Sequence, residues 1–382
     1  MKQRILNAVD RPEVWKRVLS GKRYGLVTNP SGVDRSLRLT ADLLYEAGGL
    51  VCLFSPEHGV RGDRQAGADV STYTDERTGL PVYSMYGKGG HHIPETVLSS
   101  LDAVVFDIQD VGARFYTYIY TLSYAMEDCA AAGKEMIVFD RLNPLGGGEP
   151  QGTVLKREFS SSIGRFPIAT RFGMTVGEYA RFINETEGIG CPLTVVPIEG
   201  WSRDCIFPDT DLSWVSPSPN LPTVDSAFLY IGTCLFEGTN LSEGRGTTHP
   251  FEMIGAPWID ADALAAEMRA MALPGVLFRP CHFTPTFSKH AGELCHGVQL
   301  HVTDHRALQP FLCGLLLLET VRRTYAEFAF RAPNANGRYF IDLLMGCDDY
   351  RRGTLSVTEF LAREQGELSA YRKQMEPYYL YG

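Results

Sequence analysis

Short apolar runs alternate with amphipathic stretches through the first half of the chain. The pattern predicts a helix over 12–19, then a strand over 23–28 that ends in the turn Asn29-Pro30-Ser31-Gly32. A helix over 40–47 follows, stopped by Gly48-Gly49, and a strand over 50–54 runs into Ser55-Pro56-Glu57-His58-Gly59-Val60-Arg61-Gly62. A short strand is expected over 81–86, a helix over 94–100 and a strand over 103–106. A helix over 118–132 closed by Gly133 and a strand over 135–139 complete this half. The strands are apolar throughout instead of alternating, the pattern of a parallel sheet covered on both faces. Ligands of such sheets gather beyond the carboxyl ends of the strands. Polar clusters fall at those ends: Asn29, Glu57, His58, Asp107, Asp110, Asp140 and Asn143.

From 150 to 250 the pattern loosens. A helix is expected over 174–185, with Thr175 as its cap and Glu178 three residues on. A strand over 193–197, the stiff segment Ser216-Pro217-Ser218-Pro219-Asn220-Leu221-Pro222 and a helix over 226–236 come next. The segment 237–247 is a glycine-rich polar loop, suited to close backbone approach to a ligand or to a flexible link. Beyond it, helices over 261–272, 307–323, 339–345 and 357–371 and strands over 276–279 and 297–302 suggest a smaller α+β unit. The expected division is 1–248 and 249–382.

Composition narrows the class. The 382 residues are 44% hydrophobic and 21% charged, ordinary for a globular protein. A net charge of −9 argues against a nucleic-acid surface spread over the whole molecule but leaves room for a local basic pocket. The opening residues carry Arg4, Asp10, Arg11, Glu13, Lys16 and Arg17 and no apolar core of signal-peptide length, so a cytoplasmic protein is expected. The apolar run Leu315 to Leu318 is too short for membrane insertion. Nine scattered cysteines without a CxxC pair point to reduced thiols.

The chemistry is densest over 106–118, FDIQDVGARFYTY. Two acids, Arg114, Tyr116 and Tyr118 within a dozen residues suit a sugar or anion site. They equally suit a capped strand end and a helix with an aromatic core face. Several other chemistries find no motif. There is no GxGxxG after the first strand, no Walker A loop and no GxSxG elbow. His301 and His305 lack the helical HExxH setting, and His91-His92 falls in a loop, so no metal or cofactor is expected. What remains is carboxylate chemistry. Glycosidic hydrolysis needs an acid for the leaving oxygen and a second group to complete the displacement. Glu57, between Pro56 and Gly59 and beside His58 and Arg61, is the leading candidate. Helix capping or pairing with Arg61 is its structural alternative. Asp107, Asp110 and Glu243 are the other acids considered, Asp107 also as an acceptor for backbone amides.

These segments, in order, resemble the NamZ-type exo-β-N-acetylmuramidases. The resemblance rests on Ser55 to Gly62, Phe106 to Tyr118, Asp140 to Gly147, Gly173 to Glu178, Ser216 to Asn220, Glu237 to Thr247 and Pro250-Phe251-Glu252. It implies a Rossmann-like domain with a mainly parallel sheet, a smaller α+β C-terminal domain, and a cleft between them. It also implies removal of terminal β-linked N-acetylmuramic acid from the non-reducing end of peptidoglycan fragments, with MurNAc-GlcNAc saccharides as partners. The family's conserved glutamate falls on Glu57. Family members are often exported. For the substrate's lactyl carboxylate, Arg61, Arg114 and Arg245 are candidate grips, with Tyr116, Tyr118 and Trp258 as walls. Asn29, His58, Asp140, Asn143, Asn220 and Asn240 complete the expected binding set. The alternatives are a non-catalytic sugar- or anion-binding protein and a hydrolase of peptide or amide bonds; the latter lacks a nucleophile motif and a metal set.

Overall fold

The computed structural model describes residues 2–57, 59–62, 72–85 and 90–382. Its centre is a seven-stranded sheet. The strands are β1 (Tyr24–Thr28), β2 (Leu50–Ser55), β3 (Tyr73–Thr74), β4 (Pro81–Ser84), β5 (Ala103–Asp107), β6 (Glu135–Phe139) and β9 (Leu193–Val196). Their spatial order is β3-β4-β2-β1-β5-β6-β9, and all neighbours are parallel except the edge pair β3/β4. Taken in chain order, the parallel strands run 3-2-1-4-5-6, the doubly wound Rossmann order with its switch between β1 and β5.

The continuous apolar strands are explained by two cores, one on each face. In β5, Val104 and Phe106 join one core, while Ala103 and Val105 join the other. The helices α1 (Pro12–Leu19) and α2 (Thr40–Ala47) cover the second face through Trp15 and Leu44. The short α3 (Glu95–Leu98), with α4 (Tyr118–Ala132) and α5 (Val176–Thr186), covers the first. The capping box predicted at Thr175 and Glu178 is formed, and Arg203 pairs with Glu178 at 2.7 Å.

An antiparallel ribbon, β7 (Gln151–Val154) with β8 (Ala169–Arg171), links this layer to the rest. The smaller C-terminal part has a three-stranded antiparallel sheet, β10 (Met253–Ala256), β11 (Val276–Phe283) and β12 (Cys295–Val302), in the order β10-β12-β11. On it pack α6 (Val224–Thr233) and α7 (Ala261–Ala270), with α8 (Pro310–Thr324) against both helices; α9 (Phe340–Met345) and α10 (Asp349–Arg352) follow, and α11 (Val357–Met375) packs on the ribbon.

Several expected elements change. The strand expected over 276–279 continues to Phe283, because its outer positions Arg279 and His282 face solvent while the inner face stays apolar. The ribbon strands lack apolar runs and carry no strand signal in the sequence, while the short apolar Met253–Ala256 forms β10, a strand the sequence reading did not expect. The helix expected over 226–236 stops at Thr233 and tightens into a 3₁₀ turn, Cys234–Gly238. Pro310 opens α8 at its first turn, later than the expected 307, as proline's missing N–H favours.

Candidate active site

The loops after β2 and β5, the start of α4 and the segment after α6 enclose a cleft of about 250 Å³. Its wall is aromatic: Tyr116 meets Tyr118 edge-on at 5.0 Å, and Tyr230 meets Phe251 edge-on at 4.6 Å. Phe251 holds a left-handed backbone, φ +65°, with the Arg245 guanidinium 5.0 Å from its ring centre. A non-glycine residue in that region is strained, and the packing around the ring holds it there.

Among the described residues, Glu57, Glu237 and Arg245 bring charge to this cleft. Glu57 stands in the loop beyond β2. The Tyr118 hydroxyl donates to the Pro217 carbonyl at 2.9 Å, and lies 3.5 Å from the Glu57 carbonyl. Asn29 donates to the same Pro217 carbonyl at 3.0 Å, so it supports Tyr118 from behind. Glu237 accepts from Arg245 at 2.7 Å. Burial pushes the Glu237 carboxyl above its ordinary value, against the pull of Arg245. Burial likewise opposes the charge of Arg245, but Glu237 and Glu243 hold its pKa above the usual guanidinium value.

A more open lobe of about 700 Å³ continues from Glu237 and Arg245. There Glu243 sits between Arg245 at 3.4 Å and Lys289 at 2.8 Å. Asn240 borders the lobe, though its side chain is engaged by the Glu327 carbonyl and the Ala329 amide.

The expected residues therefore separate into two sets. Glu57, Tyr116, Tyr118, Asn220 and Arg245 meet at the cleft, and Asn240 and Glu243 at the lobe. His58 lies outside the described residues. The others serve the scaffold. Asp107 is fully buried and forked by Arg141, at 2.5 and 2.9 Å, with Thr40 as a further donor. This fork fills the switch point between β1 and β5, where a dinucleotide fold would admit its ligand. Asp110 folds back on the Gly112 amide at 2.6 Å, behind the aromatic wall, and burial pushes its pKa up to about 7. Gly112 has φ +74°, and a Cβ there would lie 2.4 Å from the Asn143 side chain, so the turn requires glycine. Asn143 itself bonds the Met174 carbonyl and the Leu145 amide.

Arg114 is wholly buried and spends its guanidinium on the carbonyls of Thr153, Ile168 and Leu344. It joins the ribbon to α9, and burial lowers its pKa to about 10. Arg61 forks Asp75, at 2.6 and 2.8 Å, and reaches Asp42 at 3.0 Å. Asp140 caps α5 through the Gly177 amide at 2.8 Å and receives the Tyr381 hydroxyl at 2.6 Å. Trp258 packs on Tyr325, away from the cleft.

Sequence reasoning passed over Glu237, Tyr230 and Arg331. Tyr230 falls inside an expected helix, and Phe251 enters only as part of the Pro250-Phe251-Glu252 motif, with no site role. Glu237 did carry a signal: an acid opening the glycine-rich loop eight residues before an arginine. Among the described residues, no group of three or more His, Cys, Asp or Glu is placed to hold a metal ion. No helix among them is long and apolar enough to cross a membrane.

The chain matches two family models end to end. Residues 24–225 match the N-terminal domain of exo-β-N-acetylmuramidase NamZ, and residues 228–381 match its C-terminal domain. A curated relative, the peptidoglycan β-N-acetylmuramidase NamZ of Bacillus subtilis (strain 168), is 52% identical over 315 residues, 82% of this chain and 76% of its own length. Two crystal structures of DUF1343 family proteins from Bacteroides fragilis NCTC 9343 share the fold. One has a TM-score of 0.89 at 34% identity, covering all of both chains. The other has a TM-score of 0.79 at 29% identity, covering 99% of each. With both halves matched and a relative at this identity, the chain belongs to the NamZ exo-β-N-acetylmuramidase family.

Proposed function

We propose that this protein is a glycoside hydrolase that removes terminal β-linked N-acetylmuramic acid from the non-reducing end of peptidoglycan-derived saccharides. The observation that carries the reading is a sugar-sized aromatic cleft, holding Glu57 and Glu237, in a member of this family. Aromatic faces suit the apolar face of a pyranose and the acetamido methyl. We take the working units to be 1–248 and 249–382, with Phe251 and Lys289 reaching the site from the second. All nine cysteines are free and buried, which supports action in a reducing compartment such as the cytoplasm.

In this mechanism Glu57 gives its proton to the glycosidic oxygen as the bond from C1 breaks. The substrate's acetamido oxygen or a water forms the new bond to C1. Water supplies the hydroxyl of the released sugar, and its proton restores Glu57. Glu237, fixed by Arg245, is the second carboxylate available to orient the acetamido group or the water.

The test compares Glu57→Gln with Glu237→Gln on two substrates, a MurNAc-GlcNAc disaccharide and a nitrophenyl β-N-acetylmuramide. Losing the acid should lower kcat on the disaccharide by about 10²–10⁴-fold, and less on the nitrophenyl glycoside, whose leaving group needs no proton. Glu237→Gln should slow both alike. Near-normal disaccharide turnover by Glu57→Gln would remove Glu57 from the acid's role. Binding without release of either product by the wild type would favour a binding protein.

A further inference from the structure

The open lobe beside the cleft holds a charge imbalance. Among the described residues, its carboxylates are Glu237 and Glu243, its permanent cations are Arg245, Lys289 and Arg331, and His290, bonded to the Asn240 carbonyl, also borders it. Arg245 is committed to both acids. Lys289 is committed to Glu243 at 2.8 Å and to the carbonyls of Phe236 and Thr239 at 2.7 and 3.2 Å. Arg331 alone of the three has no carboxylate partner among the described residues. Counting the described carboxylates as charged, the permanent cations of the lobe exceed them by one.

The backbone of Arg331 is tied to the 3₁₀ turn that carries Glu237. Its amide donates to the Gly238 carbonyl at 2.9 Å. Its guanidinium lies 3.4 Å from the Glu237 carbonyl and 5.3 Å from the centre of the Phe340 ring. The side chain is otherwise exposed and lines the lobe. A planar guanidinium fork with one unmatched charge is the complement of a single carboxylate.

We propose that Arg331 is the specificity-determining residue that binds the free lactyl carboxylate of the terminal N-acetylmuramic acid. The inference rests on the proposed reaction for the position of the sugar, and on the charge balance of the lobe for the choice of residue. With the ring against the aromatic wall, its carboxylate-bearing side group enters the lobe that opens past Glu237 and Arg245. The site then discriminates twice. N-Acetylglucosamine lacks the carboxylate. A lactyl group in amide or ester linkage has lost the charge.

The experiment uses the full chain and the variants Arg331→Gln and Arg331→Lys. Three nitrophenyl glycosides are compared: the N-acetylmuramide, its lactyl methyl ester and the N-acetylglucosaminide. Calorimetry measures binding of free N-acetylmuramic acid and of its methyl ester. Arg331→Gln is expected to raise KM for the free acid about 10- to 100-fold, the loss of a hydrogen bond to a charged group, with kcat within about threefold. Its preference for acid over ester should disappear, and Arg331→Lys should restore part of it. The wild type's KM for the acid should rise with salt, while that for the ester should not. An unchanged acid-to-ester ratio in Arg331→Gln, in turnover or in binding, would overturn the proposal. If the wild type binds the acid in preference to the ester, Arg331→Gln loses that preference and neither hydrolyses a muramide, the proposed reaction fails and the role of Arg331 stands.

Discussion

The charged residues that stand out in the sequence gather near strand ends, and their environments give them opposite uses. Asp107 and Glu57 each stand just past or at the end of a parallel strand. Asp107 meets Arg141 and Thr40 and is spent on closing the switch point, whereas Glu57 remains at a cleft. Arg61 and Arg114 are spent in the same way, one on carboxylates and one on carbonyls. Asp110 shows the cost of such burial. One of its oxygens is buried without a hydrogen-bond partner, and burial moves its pKa up to about 7. A carboxyl raised on folding keeps its proton in the native state while the unfolded chain gives it up. Its contribution to stability is therefore unfavourable between the unfolded value near 4 and the folded value near 7, growing as pH rises. Asp110→Asn removes this titration and keeps the acceptor for the Gly112 amide. The difference in Tm between variant and wild type should shift in the variant's favour from pH 4 to pH 7. A difference that stays flat in thermal melts across that range would refute the raised pKa.

At the scale of elements, the site depends on how closely α6 meets α8. Gly232 and Gly314 face each other there, and a Cβ on Gly232 would lie 2.1 Å from the Pro310 carbonyl oxygen. Only backbone lies in the way, so the helices must move apart. Gly232→Ala should cost about 1–3 kcal/mol in urea unfolding, the usual range for overpacking. Because Cys234–Gly238 follows at once and carries Glu237, kcat/KM should fall as well. Gly366 is the control. It is exposed inside α11, and a Cβ added there would meet nothing within 4 Å, so Gly366→Ala should add about 0.5–1 kcal/mol and leave kcat/KM unchanged. The same scale explains which elements the sequence revealed. Strands buried on both faces are written as apolar runs, and β1, β2, β5, β6 and β9 were legible within one or two residues. The ribbon strands Gln151–Val154 and Ala169–Arg171 owe their conformation to partners far along the chain, among them the Arg114 fork and the Glu364 carboxylate on the Gly152 amide. No local periodicity records that.

At the scale of the molecule, the larger apolar core is continuous from Val27 in the sheet to Met375 at the end of α11. Several buried polar ties also cross between the two parts. Arg114 reaches Leu344, and the Tyr371 hydroxyl donates to the Phe172 carbonyl at 3.0 Å. The Tyr381 hydroxyl caps Asp140. Parts joined by a shared core do not unfold separately. Differential scanning calorimetry should show one transition, with the calorimetric and van't Hoff enthalpies equal. Two resolved transitions, or a ratio well above one, would mean that the parts unfold independently.

The sequence by itself determined the parallel sheet, the rim on which its polar strand ends gather, and the family. Burial periodicity is local, and the ordered motifs span the chain. Only the tertiary structure decided which of the rim's charges are free to meet a substrate. That depends on partners remote in the chain: Arg141 for Asp107, Asp75 for Arg61, and three carbonyls for Arg114. It depends equally on what is left over, and among the described residues Arg331, which no motif marked, is the cation without a carboxylate in the lobe beside Glu237. A charge is available for function only after the rest of the fold has taken what it needs, and that remainder is a property of packing.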